Sequence, residues 1–238
     1  MASTLPKKPK LSEVISIVAH QLKNPLSVLK GYIEVLISED FGRINQKQRE
    51  YLEDALENVK RMGRIVGYLL DVSRIEEGKF RVRPELIDLG KMISEVIDEF
   101  SDWAQASNCT ITFKKPEKAL LVSADPLKIR HVIENIISNS LKFKSAGEGK
   151  IEISLAPKNK EVLFSCQDNG IGIPKKDFKK VFTKFYRSEE ALEADPAGTG
   201  LGLYIDKATI ELSRGKIWFK KNKGPGMTFY FTLPLTKK

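Results

Sequence analysis

LSEVISIVAHQLKNPLSVLKGYIEVLI, residues 11–37, carries the reading from which the architecture follows. Leu11, Val18, Pro25 and Tyr32 recur every seventh position, and so do Ile15, Leu22, Leu29 and Leu36. Together they predict one helix with an a/d seam. SEDFGRIN, Ser38–Asn45, breaks the pattern with a glycine and turn-forming polar residues. A second helix follows, with Leu52, Leu56, Val59, Met62, Val66 and Leu69 at similar spacing. At 1.5 Å per residue each helix is on the order of 40 Å long. A hairpin of two such helices cannot cover its apolar stripe from within. Two hairpins pairing into a four-helix bundle would cover it, so a homodimer is expected from burial alone.

His20 lies between the seam residues Val18 and Leu22 but off the seam, on the solvent side of the hairpin. A lone histidine is ordinarily a satisfied core residue; this register opposes that, and leaves either a functional imidazole or an exposed side chain without a role. Pro25 follows one turn later. It removes an amide and crowds the carbonyl of Gln21, at a cost of up to ~3 kcal/mol, so the helix is expected to bend or loosen there. An imidazole titrating near ~6.5 is a competent nucleophile at neutral pH.

Beyond SRIEEGKFRVRPELID the rhythm changes. The β-rich runs CTITF, ALLVS, KIEISL, EVLFSC, KIWFK and MTFYFTLPL alternate with helical patterns at Leu89–Ala106, Leu127–Phe143 and Leu203–Leu212. Such interleaving implies a sheet covered by helices on at least one face. The expected organisation is a polar lead-in over 1–10, a helical hairpin over 11–77, a linker over 78–88 and an α/β domain over 89–238.

Composition narrows the classes. The formal charge is +9, but the basic residues are scattered and accompanied by 31 acidic ones, without the aromatic interleaving of a nucleic-acid platform. Nucleic acid is therefore not an expected partner. No apolar run reaches the roughly 18–20 residues a bilayer demands, so no membrane segment is expected. MASTLPKKPK lacks the apolar core of a secretory signal. Cys109 and Cys166 sit in strand-like apolar runs as small hydrophobes, which fits a reducing, cytoplasmic setting.

Three segments of the second half have phosphate- or base-binding chemistry. In ENIISNSLKF, Glu134–Phe143, the amides of Asn135 and Asn139 are four apart on one helix face, with Lys142 beyond. Amide oxygens suit Mg²⁺ and an ammonium suits phosphate. In DNGIGIP, Asp168–Pro174, Asp168 could accept from an exocyclic amine while Gly170 and Gly172 admit a flat base. GTGLGL, Gly198–Leu203, places glycines before a helix, where free amides meet phosphate oxygens. Singly, ENIISNSLKF reads better as an ordinary polar helix face, and the other two can be ordinary turns; their order behind a histidine-bearing hairpin is what makes them specific.

With these pieces in place the chain resembles the sensor histidine kinase core. AHQLKNPLS is similar to the H box, ENIISNSLKF to the N box, DNGIGIP to the G1 box, VFTKFYRS to the F box and GTGLGL to the G2 box. The resemblance runs from about Leu11 to Leu235. It implies a dimeric four-helix bundle followed by a Bergerat-type (GHKL) α/β sandwich, with ATP and Mg²⁺ as cofactors. By that resemblance His20 is the phosphoacceptor, with Gln21, Asn24 and Arg187 completing the catalytic set. Nucleotide contacts fall to Asn135, Asn139, Lys142, Phe143, Asp168, Gly170, Gly172, Ile173, Tyr186, Thr199, Gly200, Leu201, Gly202 and Leu203, and the metal to Asn139 and Asn135. Ser188 to Ala197 would form an ATP lid with Phe182 and Phe185 at its base. The implied partner is a response-regulator receiver domain, to which phosphate passes and from which Asn24 would help remove it. The chain itself is expected to be cytoplasmic, and the resemblance allows a membrane anchor in a full-length protein.

One departure stands out. Gln21 occupies a position where the family usually has a carboxylate, which predicts slower autophosphorylation because an amide brings no charge to the histidine. A signalling scaffold that binds nucleotide but transfers little phosphate is the alternative this residue supports. A gyrase- or chaperone-type ATPase is the other, opposed by the hairpin ahead of the α/β domain. His131, on the helix leading into the N box, is expected to be structural.

Overall fold

The computed structural model describes residues 11–236, with side chains from Glu13 onward. The lead-in over 1–10, the side chains of Leu11 and Ser12, and residues 237–238 lie outside the described residues. The chain divides into two compact units between Phe80 and Arg81.

The first unit is an antiparallel hairpin of α1 (Leu11–Ile37) and α2 (Gln46–Glu76). Asn45 starts α2 with a capping box: its side chain accepts from the Gln48 amide at 2.9 Å, and Gln48 Oε1 accepts from the Asn45 amide at 2.8 Å. Both donors are ones that a helix start leaves without partners. An Arg49–Glu39 ion pair of 2.7 Å crosses the turn. Helix α1 continues through Pro25 without interruption, although proline offers the Gln21 carbonyl no N–H.

The packing shows which stripe of α1 meets α2. Within the hairpin, Ala19, Val66 and Leu70 are buried together with Leu26 and Leu69 against them. Val18, Leu22, Leu29, Tyr32 and Leu36, which the heptad spacing selects, stay exposed. Helix α1 therefore has two apolar faces. The small one, at Ala19, lets α2 approach closely, and the larger aliphatic one dominates the sequence pattern.

The second unit begins with β1 (Glu85–Asp88), a strand inside the stretch read as linker. It pairs antiparallel with β3 (Leu121–Ala124). Between them come α3 (Leu89–Glu99), α4 (Ser101–Ala106) and β2 (Cys109–Lys114). The single helix expected over Leu89–Ala106 is thus broken at Phe100, which closes α3 and opens α4 while stacking on Trp103. Then follow α5 (Pro126–Lys142), β4 (Gly149–Lys158), β5 (Glu161–Asp168), α6 (Glu189–Ala194), α7 (Gly202–Leu212), β6 (Lys216–Lys221) and β7 (Met227–Pro234).

The main sheet has the order β2-β4-β5-β7-β6, with β2–β4 parallel and the other pairings antiparallel. Phe164 of β5 lies opposite Phe231 of β7, with rings stacked at 4.4 Å, and both are fully buried. Helix α5 covers them with Ile129, Ile133, Ile136 and Ile137. Asp125 caps α5 through the Lys128 amide, and its second oxygen accepts from the Arg83 amide at 2.9 Å, fastening the incoming chain to the start of the N-box helix. Cys109 and Cys166 are buried free thiols, and burial pushes Cys166 up to about 12. No helix among the described residues is long and apolar enough to cross a membrane.

Candidate active site

Asp168 ends β5 and is largely withdrawn from solvent, which raises its carboxyl above the usual range; the amides of Gly170 and Met227 pull it back down. Both amides bond the same oxygen, Oδ1, at 2.9 and 3.2 Å. No described group bonds Oδ2. One oxygen is therefore spent on holding the carboxylate in place, and the other is left as an acceptor. Gly226 makes this possible: with φ of +84° it passes so close that a Cβ there would stand 2.0 Å from the Asp168 carbonyl oxygen. Asn222 clamps the same carbonyl through Nδ2 at 2.8 Å.

The neighbouring loop is tied to α5. Phe143 closes that helix, and its carbonyl accepts from the Ile171 amide at 2.9 Å. Gly172 and Ile173 line a cleft of about 260 Å³ with Pro174, Glu190 and Gly226, and Ile173 also packs on the core.

On α5, Asn135 Nδ2 donates to Asp206 Oδ2 at 2.5 Å, and Asn139 Nδ2 reaches Asn135 Oδ1 at 3.4 Å. Both polar ends of Asn135 are thus engaged, while no described group bonds the carbonyl oxygen of Asn139. That hard oxygen suits Mg²⁺; the Asn135 oxygen, read beside it as a ligand, accepts from Asn139 Nδ2 in this structure. Asp206 lies on α7, fully buried. Burial holds its carboxyl well above the ordinary carboxylate range, opposed by the Asn135 hydrogen bond.

Helix α7 opens at Gly202 with no side-chain cap, so its first turn offers amides to an anion. Leu201 and Leu203 anchor that end, Leu201 buried and Leu203 packed on the core. Thr199 Oγ1 accepts from the Leu201 amide at 3.3 Å, and the Gly200 carbonyl accepts from the Phe185 amide at 2.9 Å.

The segment between F and G2 boxes is ordered around Arg187. Its guanidinium donates to the carbonyls of Pro196 and Gly198 at 3.3 and 3.0 Å, to that of Ala191 at 2.5 Å, and to that of Asp195. Arg187 is therefore committed to this segment's own backbone. Lys142 is likewise paired, with Asp195 at 3.2 Å. The F box divides: Phe182 packs on Phe219 at 5.9 Å, whereas the Phe185 ring is 52% exposed with a left-handed φ of 63°, and that residue holds the G2 loop through its amide. Tyr186 bonds Asp177, which pushes its hydroxyl up to about 12.

In the hairpin, His20, Gln21, Asn24 and Pro25 are all exposed on α1, with Ala19 beside them fully buried. The imidazole is open to an approaching donor. His131, on α5, is also exposed.

An exposed histidine on a helical hairpin, followed by a sandwich that presents Asp168, Asn139 and an uncapped α7, defines the catalytic core of a sensor histidine kinase, and the chain belongs to that family. Residues 10–78 match the His Kinase A (phospho-acceptor) domain, and residues 124–237 match the Histidine kinase-, DNA gyrase B-, and HSP90-like ATPase family. Among curated relatives, the sensor histidine kinase WalK of Bacillus subtilis (strain 168) is 35% identical over 93% of this chain and 36% of its own length. The sensor protein kinase WalK of Staphylococcus aureus is 32% identical over 93% of this chain and 53% of its own. The chain thus spans between about a third and a half of these relatives. Among solved structures, the catalytic domain of histidine kinase ThkA aligns at a TM-score of 0.57 and 28% identity, over 65% of this chain and 99% of its own. Full-length ShkA, crystallised with AMPPNP, shares the fold at a TM-score of 0.76 and 21% identity, over 95% of this chain and 46% of its own.

Asp206, Met227, Asn222 and Gly226 were not among the residues singled out by sequence. The last three lie in and beside the β6–β7 turn, and only the sheet order, which sets β7 against β5, brings them to Asp168. Asp206 did carry a signal: a lone acidic residue in the apolar run GLYIDKATI.

Proposed function

We propose that the chain binds Mg-ATP in its second unit and transfers the γ-phosphoryl group to Nε2 of His20, from which it passes to an aspartate of a response-regulator receiver domain. The observation that carries this reading is the divided role of Asp168, whose Oδ1 is tied to two amides while Oδ2 is left to accept the exocyclic amine of adenine. Asn139 would hold Mg²⁺ through its side-chain oxygen, and the cation would neutralise charge on the phosphates. The first turn of α7 and Lys142, once released from Asp195, would face the same phosphates. Arg187 orders the lid over Ser188 to Ala197 rather than reaching for phosphate.

In the transfer, the Nε2 lone pair forms the N–P bond as the bond from the γ-phosphorus to the β–γ bridging oxygen breaks, and ADP leaves with that electron pair. Positive charge develops on the ring, whose Nδ1–H can donate to the Gln21 amide oxygen. Positioning and charge neutralisation supply most of the acceleration. The exposed apolar face of α1 supports a homodimer through the hairpin, and exposed Asn24, four residues after His20, supports phosphatase action on the phospho-regulator.

The test is incubation with γ-labelled ATP and Mg²⁺, comparing wild type with His20→Ala. Acid-labile, base-stable label on the wild type and none on the variant is expected. Tight nucleotide binding without label would favour the second reading, the scaffold that Gln21 supports.

A further inference from the structure

Asp206 sits in the middle of α7 as a buried carboxyl whose one described hydrogen bond comes from Asn135. Burying a carboxyl with so few partners costs stability that an aliphatic side chain of similar volume would not. What the carboxyl does is constrain an amide. Asp206 Oδ2 accepts from Asn135 Nδ2, and with the amide held that way Asn135 Oδ1 faces Asn139. Asn139 then presents Nδ2 to Asn135 and is left with its carbonyl oxygen outward. Helix α7 holds Asn135 sterically as well: one turn before Asp206, a Cβ on Gly202 would lie 2.7 Å from both polar atoms of the Asn135 side chain. The G2-box helix thus grips the N-box helix at one side chain, from two consecutive turns.

We infer that Asp206 is a positioning residue which, through Asn135, fixes the amide of Asn139 with its oxygen available to the divalent cation. The inference rests on the nucleotide reading of the site and names a residue that reading did not include. Without the carboxyl, both amides are free to rotate by half a turn, and a donor would take the place of the metal-facing oxygen.

The test compares wild type, Asp206→Val and Asp206→Asn as the whole chain. Calorimetric titration with a non-hydrolysable ATP analogue is run once with Mg²⁺ and once with EDTA, and thermal melting is recorded for each protein. Outer-shell partners of a metal ligand typically govern about 10–100-fold in metal affinity. Asp206→Val should therefore lose about tenfold or more of the gain in affinity that Mg²⁺ confers, keep its affinity in EDTA within about twofold, and melt no lower than wild type. Asp206→Asn keeps an acceptor oxygen and should restore the gain. Full Mg²⁺ gain in Asp206→Val overturns the inference. So does an equal loss with and without Mg²⁺, which is the mark of a merely structural role, and so does an Asn variant as impaired as Val. A wild type that shows no Mg²⁺ gain at all overturns the nucleotide reading itself.

Discussion

In the α/β unit Phe164, Phe231, Ile133 and Ile137 are withdrawn completely from water, whereas in the hairpin Leu22, Leu29 and Tyr32 stand 44%, 47% and 67% exposed. Both units are rich in apolar residues, so composition does not separate them. Geometry does. A sheet with helices packed on it encloses a core from one chain, while two helices can meet along only one stripe each. Full burial of a large aliphatic or aromatic side chain is worth about 1.5–3 kcal/mol, and the hairpin leaves several such contributions unrealised. The comparison separates a unit that encloses its own core and carries the nucleotide-site residues from a unit that leaves an apolar stripe uncovered, proposed to pair with a second copy, and presents the histidine.

If the α/β unit is self-contained, its largest vulnerability is the stacked pair. Phe231→Ala should destabilise that unit by about 3–5 kcal/mol, seen as loss of its melting transition toward lower temperature, while the helical signal of the hairpin persists. Concerted melting of both units would break the comparison. Next is Asp168→Asn, which keeps an acceptor for the Gly170 and Met227 amides but offers a donor in place of Oδ2. A hydrogen bond to a charged group is worth about 1.5–3 kcal/mol, so nucleotide affinity by calorimetry should fall about 10–100-fold with the oligomeric state unchanged. In the hairpin, Asn45→Ala removes the cap of α2 and should cost about 1 kcal/mol, measured by helical circular dichroism on heating, with no change in nucleotide affinity. The smallest effect is at Gln21→Glu: a charge-assisted hydrogen bond to the ring is about twice as strong as a neutral one, so the labelling rate should rise several-fold. An unchanged rate would show that the amide is no handicap.

Much of this was legible in the residues. The turn read at Ser38–Asn45 coincides with the gap between α1 and α2, because glycine and short polar side chains carry the turn chemistry themselves. The N, G1 and G2 segments were legible because amides, glycines and carboxylates at fixed spacing are local features. What escaped was long-range. Heptad spacing does not say which of two apolar faces meets the hairpin's own partner helix: Ala19 and Leu26 pack within the hairpin, while the stripe through Val18 and Leu22, left by the sequence reading for a second hairpin, stays exposed. Glu85–Asp88 was read as linker because a four-residue strand has too little pattern to register, and its pairing with β3 is a matter of topology. Phe185 was expected at the base of the lid; its ring is half exposed and its tie to the loop beyond the lid runs through its amide and the Gly200 carbonyl, which no side-chain pattern reports. The Asn222–Met227 side of the Asp168 site depends on which strands are neighbours, and no local motif reports that.

The central claim is tested most directly by sedimentation equilibrium of the whole chain and of Leu29→Asp, with nucleotide affinity measured on the same samples. Leu29 lies on the exposed stripe of α1, in the unit that does not carry the nucleotide-site residues. The account predicts a dimeric wild type, a variant shifted to monomer at the same concentration, and equal nucleotide affinity in both. A monomeric wild type, or a variant whose loss of dimer is matched by loss of nucleotide affinity, would contradict it.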